Sequence, residues 1–144
     1  MQLRADLDLG FFNQIGRGHF PEHVGVSITG VRQGSMQGSL PVTPQLMAPN
    51  GYLHAGSIVT LADTLAGYAC VAHLPEGATG FTTVELKTNF VGATRDGTLH
   101  CEARAVHLGR TTQVWDATVW SSDGRDKTIA LFRCTQLLLY PKPP

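Results

Sequence analysis

The sequence predicts an α+β domain in which a curved antiparallel sheet wraps one long central helix. Asn50 to Leu74 is the only stretch with long helical periodicity. Two segments of alternating apolar and polar residues precede it, and four follow, joined by short turn signals that set them in a meander. Strands of about ten residues span ~33 Å and a helix of about eighteen spans ~27 Å, so the sheet can cover the helix along its length.

The N-terminal residues 1–23 mix Leu7, Leu9, Phe11, Phe12 and Ile15 with Gly16, Gly18 and Pro21, which reads as a short helix and then a loop. Val24, Val26 and Ile28 alternate with small polar residues; after the turn Arg32-Gln33-Gly34, so do Met36, Leu40 and Val42. These are two paired strands. Pro41, Pro44 and Pro49 hold the chain extended and irregular up to the helix.

In the helix, Ile58, Val59, Leu61, Ala62, Leu65, Ala66, Ala69 and Cys70 cover a little over half the circumference, so most sides are buried. Pro75 to Gly80 form a loop, and Val84, Leu86, Thr88 and Phe90 alternate as a half-buried strand should. The turns Thr94-Arg95-Asp96-Gly97, Leu108-Gly109 and Ser122-Asp123-Gly124 then introduce strands over 98–107, 111–120 and 128–140. The last is apolar on both faces (Ile129, Leu131, Leu137, Leu139 against Ala130, Phe132, Leu138), which predicts cover on both sides. A sheet rolled around one helix in this order is the hot-dog fold. Residues 1–144 make a single domain, with the helix and loop of 1–23 at one end and the proline-rich tail 141–144 at the other. Sheet edges and an apolar second face call for a partner, and a dimer that continues the sheet is the simplest answer.

Composition narrows the partners. Eleven basic and eleven acidic side chains give a net charge of zero, so no basic field gathers nucleic acid or an anionic membrane. A charged fraction of only 15% favours self-association. Cys70, Cys101 and Cys134 are odd in number, widely spaced and set in apolar patterns, which predicts buried free thiols rather than disulfides or a metal site. That usage suits a reducing cytosol. The N-terminus lacks a signal-type apolar core, and no run approaches ~18 consecutive apolar residues, so a cytoplasmic protein is expected.

Chemistry concentrates at the start of the long helix. Gly51 and the run His54-Ala55-Gly56 let the backbone approach a ligand while the first amides of the helix stay unpaired, a place that attracts a developing oxyanion. Asp63 projects roughly 20° beyond Cys70 and roughly 40° beyond Val59, at the margin of the apolar arc. A carboxylate there is half-desolvated. Alone it would read as an ordinary helix-edge residue; with the helix start nine positions upstream it reads as catalytic. His19 and His23 have the spacing of a helical metal pair, but Pro21 between them argues against a regular helix and no third ligand suggests itself, so no metal is expected.

Pro-Asn-Gly-Tyr-Leu-His54-Ala55-Gly56 followed by Leu61-Ala62-Asp63-Thr64 resembles the signature of the hot-dog acyl-CoA thioesterases, of the phenylacetate-degradation and 4-hydroxybenzoyl-CoA thioesterase type. The likeness continues through Thr83-Val84-Glu85-Leu86-Lys87-Thr88-Asn89-Phe90 and His107-Leu108-Gly109-Arg110-Thr111. It implies hydrolysis of a small acyl- or aryl-CoA thioester to free acid and coenzyme A, with no cofactor beyond the substrate's own coenzyme A. It also implies a homodimer or homotetramer with the site at the subunit interface. His54 and Ala55 would come from one chain, the Ala55 amide binding the thioester carbonyl, and Asp63 from the other, as nucleophile or as general base on water. Thr83, or less directly Thr82, would position the water. The family's His-Gly-Gly is here His54-Ala55-Gly56, and the Gln or Asn that the family carries six residues before the histidine is Ala48. Asn50 is open to two readings, a replacement for that amide or a turn residue. Arg95, Arg110 and Arg133 are candidates for the coenzyme A phosphates, Arg110 first because its turn shares the likeness.

Two other readings stand beside hydrolysis. The substitutions at Ala48 and Ala55 would suit a non-catalytic acyl-CoA-binding protein. A hot-dog hydratase or dehydratase would need a proton-transferring histidine, for which His54 is the candidate.

Overall fold

The computed structural model describes residues 1–122 and 127–142. Six antiparallel strands form one sheet in the order β1-β2-β4-β5-β6-β3: β1 Ser27–Arg32, β2 Ser35–Pro41, β3 Gly80–Phe90, β4 Thr98–Leu108, β5 Thr112–Ser121 and β6 Lys127–Leu139. Three helices accompany them, α1 Leu9–Ile15, α2 Phe20–Val24 and the 18-residue α3 Ala55–Ala72. The sheet holds α3 against its concave face, where Leu61, Ala62, Leu65, Ala66, Ala69 and Cys70 are fully buried against strand residues such as Met36, Leu99, Trp115 and Cys134. Eighteen residues of this apolarity would be long enough for a bilayer. Here the sheet takes that role. Close packing needs Gly38 on β2, because a Cβ there would meet Ser27 O at 2.8 Å and Leu65 Cδ1 at 2.9 Å.

The expected strand–strand–helix–four-strand order holds, and Cys70, Cys101 and Cys134 are buried free thiols. Four local expectations do not. Val24 ends a helix instead of opening a strand: Gly25 adopts φ 88° and turns the chain before β1 begins at Ser27. The segment expected to loop around Pro21 forms α2, because proline in the first helical turn gives up only an amide that would have been unpaired. Pro44–Leu46 adds a short 3₁₀ turn to the stretch expected to be irregular.

The fourth concerns cover. β3 is an edge strand and is exposed over most of its length, with Val84 54% and Phe90 46% accessible. Leu86 and Phe90 pair with Cys134 and Ala130, so they lie on the face that carries α3, yet the helix does not cover them. On β6, Leu131, Leu137 and Leu139 face outward and are also exposed, so the expected second cover is not supplied by this chain. Of the expected turn at Ser122-Asp123-Gly124, Asp123 and Gly124 fall outside the described residues, as does the end of the tail.

Asn13 ties the N-terminal helices to this frame, its side-chain amide bonding both Ile28 N–H and Ile28 O at 2.9 Å. At the far end of α3, His73 is fully buried. Its Nδ1 lies 2.8 Å from Ala69 O, its Nε2 accepts from Gly34 N–H at 2.9 Å, and Gln113 Nε2 donates to His73 O at 2.8 Å.

Candidate active site at the start of the central helix

The loop before α3 is a small hairpin. Ala48 N–H donates to Tyr52 O (2.8 Å), Gly51 N–H to Ala48 O (3.0 Å), and Gly51 takes φ 82°, which favours glycine. Asn50 Oδ1 accepts from Tyr52 N–H at 3.2 Å, so Asn50 is a turn residue in this chain. Leu53 N–H then binds Thr94 O (2.9 Å) and His54 N–H binds Leu46 O (3.0 Å), fixing where the helix starts.

His54 is the N-cap. Its Nδ1 accepts from Gly56 N–H at 2.8 Å, and its carbonyl accepts from Ser57 N–H at 2.9 Å. Gly56 permits this closeness, since a Cβ there would sit 3.0 Å from that Nδ1. The Gly56 amide, expected among the site groups, is therefore already used. Ala55 is the exposed first residue of α3, and among the described residues its N–H has no acceptor. Among the described residues, one donor thus remains unengaged at the positive end of an 18-residue helix.

Asp63 lies two turns further along, half-buried, and among the described residues its Oδ1 is buried without a hydrogen-bond partner. Burial raises its pKa above the ordinary carboxylate value. The carboxylate stands near Cys134, whose thiol is pushed up to about 12 by burial first and by the Asp63 charge second. Gln136 Nε2 donates to Cys134 Sγ at 3.3 Å, and Thr83 Oγ1 donates to Gln136 Oε1 at 2.8 Å. The Thr83 hydroxyl is thus oriented by a buried glutamine at the other end of a short polar string from Asp63.

One chain does not bring Ala55 and Asp63 together. Eight residues of helix separate them by roughly 12 Å along the axis, beyond the reach of groups acting on one carbonyl. The cations are also sorted. Arg133 is held by Asp116 on the outer sheet face, Nε to Oδ1 at 2.5 Å and Nη2 to Oδ2 at 2.8 Å. Arg110 sits in the β4–β5 turn, at the end of the sheet where Gln113 meets His73, away from its own Ala55. Of the three candidate arginines, Arg95 is the one beside the helix start: its guanidinium lies 4.3 Å over the Tyr52 ring and its neighbour Thr94 binds Leu53.

A cavity of about 630 Å³ opens against the first turns of α3, lined by His54, Gly56, Ser57 and Thr60 from the helix and by residues of α2 and the 3₁₀ turn. Nothing in the sequence ties Phe20, His23 or Gln45, which line it, to the helix start; only tertiary packing brings these separate segments there. His19 and His23 do share a helical turn, against expectation, but among the described residues no group of three or more His, Cys, Asp or Glu could hold a metal.

Residues 50–128 match the family described as the Thioesterase superfamily. The chain is 31% identical to the 1,4-dihydroxy-2-naphthoyl-CoA hydrolase of Listeria monocytogenes over 79% of its own length and 90% of that protein's. It is 30% identical to the proofreading thioesterase EntH of Klebsiella pneumoniae, over 87% of this chain and 90% of that one. The crystal structure of a mutant thioesterase from Pseudomonas aeruginosa superposes with a TM-score of 0.89 at 29% identity, covering 96% of this chain and 99% of that one. Matches over these lengths, on a chain whose sheet, helix and helix-start loop follow the expected pattern, place this protein in the thioesterase superfamily as a thioester hydrolase.

Proposed function

We propose that the protein hydrolyses a small acyl- or aryl-CoA thioester in a site shared by two copies of the chain, with Ala55 from one and Asp63 from the other. The unengaged Ala55 amide carries this reading. Among the described residues it is the one donor at the helix start left free for a ligand, His54 having taken the Gly56 amide.

Water beside Asp63 loses its proton to the carboxylate as its oxygen attacks the thioester carbonyl carbon. The carbonyl oxygen takes up the negative charge and is held by the Ala55 N–H and the helix terminus. The C–S bond then breaks, the acid forms, and the leaving thiolate receives the proton from Asp63. Burial supports the base role, since a carboxylate with a raised pKa holds a proton more strongly. His54 fixes the loop; its Nδ1 is occupied by an N–H and is not free to shuttle a proton, which weighs against dehydration chemistry.

A homodimer supports both the chemistry and the surface. A second copy paired along β3 would continue the sheet, cover Leu86 and Phe90, and bring the missing carboxylate to Ala55. The substrate's phosphates would find Arg95 beside the helix start, and Arg110 only if the partner brings that turn near. The buried free thiols suit a reducing cytoplasm.

Release of free thiol from a panel of aliphatic and aromatic acyl-CoA esters tests the proposal. Asp63→Asn, at matched folding and oligomeric state, should lose at least about a hundredfold in kcat. Comparable rates in the two proteins would remove Asp63 from the mechanism, and intact esters bound by an inactive wild type would leave a binding protein.

A further inference from the structure

We propose that Gln136 is a positioning residue for the hydrolytic water: by engaging the Thr83 O–H it leaves the Thr83 oxygen as an acceptor only, open to the water that Asp63 deprotonates. This rests on the thioesterase reading above, with Asp63 as the base.

The packing of α3 on β3 sets Thr83 opposite Asp63. The two elements run in opposite directions: residues 73–79 join the end of the helix to the start of the strand, and the helix start is tied through Leu53 to Thr94, beyond the strand's far end. A Cβ on Gly67 would meet the Phe81 ring at 3.0 Å, so Phe81 lies against the helix there. From this contact Asp63 is one turn back along the helix, about 6 Å. Thr83 is two residues on along the strand and on the same face, about 7 Å. Both steps lead toward the helix start. The ends of the polar string Asp63, Cys134, Gln136 and Thr83 thus come to the same edge of the sheet.

Two buried glutamines lie side by side on the inner sheet face, and they differ in what they hold. Gln113 and Gln136 are register partners on β5 and β6, both fully buried. Gln113 satisfies buried groups of the fold: its Nε2 donates to His73 O at 2.8 Å and its Oε1 accepts from Trp115 Nε1 at 3.0 Å. Gln136 has no such duty. Its Nε2 meets a thiol sulfur, a weak acceptor, and its Oε1 accepts at 2.8 Å from Thr83, an exposed residue whose hydroxyl water could serve. An apolar side chain of that size would avoid the desolvation of a buried amide. What remains to account for the glutamine is its hold on the Thr83 proton.

That hold is directional. A free threonine hydroxyl can donate to the water or to Asp63 itself, and either bond spoils the alignment of water and base. With its proton committed to Gln136, the Thr83 oxygen accepts one water hydrogen while Asp63 accepts, and then removes, the other. The water's lone pair is left toward the thioester carbonyl carbon. Thr83 and Gln136 end the step with the protons they began with.

The experiment measures kcat and KM for thiol release in wild type, Gln136→Met, Thr83→Val and the double variant, with melting temperature and oligomeric state checked for each. Gln136→Leu runs beside the methionine variant as a second apolar replacement. Gln136→Met should fold, keep KM and lose about tenfold in kcat, the worth of one hydrogen bond. Thr83→Val should lose at least as much. The double variant should be no slower than Thr83→Val alone, because without the hydroxyl Gln136 has nothing to orient. A folded Gln136 variant with wild-type kcat, a Thr83→Val protein with wild-type kcat, or a double variant in which the two losses multiply overturns the assignment while leaving hydrolysis intact. The multiplied loss is what a merely structural glutamine gives. Failure of the thioesterase reading looks different: wild type then releases no thiol from any ester, and both fall together.

Discussion

Ala55 is where the residue scale gives its sharpest test. Its N–H is the proposed oxyanion donor, and the same N–H contributes nothing to the fold, because it belongs to the first residue of a helix. Proline is favoured at that position, and His54 before it already has the extended backbone (φ −63°, ψ 136°) that a following proline requires. Ala55→Pro should therefore leave the melting temperature near wild type while lowering kcat roughly 10²–10³-fold, the cost of one oxyanion donor. A fully active, folded Ala55→Pro protein would exclude the amide from the chemistry. Asp63 gives the converse case. Its folded pKa is raised, so its contribution to stability is fully present below the unfolded value near 3.8 and is lost as pH rises through the folded pKa. At neutral pH the charged, unpaired carboxylate opposes folding. Asp63→Asn should then raise the melting temperature at pH 7 by roughly 2–4 °C, the response of a domain this size to ~1 kcal/mol, with the gain shrinking toward acid pH. Thermal unfolding of the two proteins across pH checks this.

At the scale of elements, α3 ends on a second sensitive group. His73 is buried, and its ring is held between Ala69 O and the Gly34 N–H, an arrangement that only a neutral ring with its proton on Nδ1 satisfies. Desolvation first, and then the nearby chain amino group, lower its pKa, with the bond to Ala69 opposing. The stability that this contributes is present above the unfolded value near 6.5 and is lost as pH falls toward the folded pKa. Melting temperature should decline as pH drops below about 6.5 in wild type, and a His73→Gln variant, less stable at neutral pH, should show a flatter profile over that window. What could be read in advance divides along the same lines. The length and burial of α3 and the marginal position of Asp63 follow from periodicity, because a helix maps sequence position onto angle. The start of β1 did not follow: Val24, Val26 and Ile28 alternate like a strand, and only the left-handed turn at Gly25 separates the helical residue from the strand residues. The exposure of β3 was hidden for another reason. Alternation reports which face of a strand is apolar, not whether the same chain covers it. The cavity beside α3 was hidden because Phe20, Gln45 and Ser57 meet only through tertiary packing.

At the scale of the whole molecule, the 12 Å problem becomes a prediction. The helix holds Ala55 and Asp63 roughly 12 Å apart along its axis, so a site that uses both, as proposed, draws them from different chains. Chains carrying Ala55→Pro supply Asp63 but no amide, and chains carrying Asp63→Asn supply the amide but no base. Each homodimer is inactive for its own reason. When the two are mixed and allowed to exchange subunits, about half of the dimers are mixed, and each mixed dimer has one site with both groups intact and one with neither. Activity should recover to roughly a quarter of wild type, rising with time as subunits exchange and absent if exchange is blocked by a covalent cross-link applied before mixing. A site contained in one chain predicts no recovery at all, because no chain in the mixture carries both groups. Sedimentation of the same mixtures separates the remaining possibility. Mixed dimers that form but stay inactive would mean that the carboxylate and the amide do not face one another across the interface, and the shared site would fall with the dimer intact.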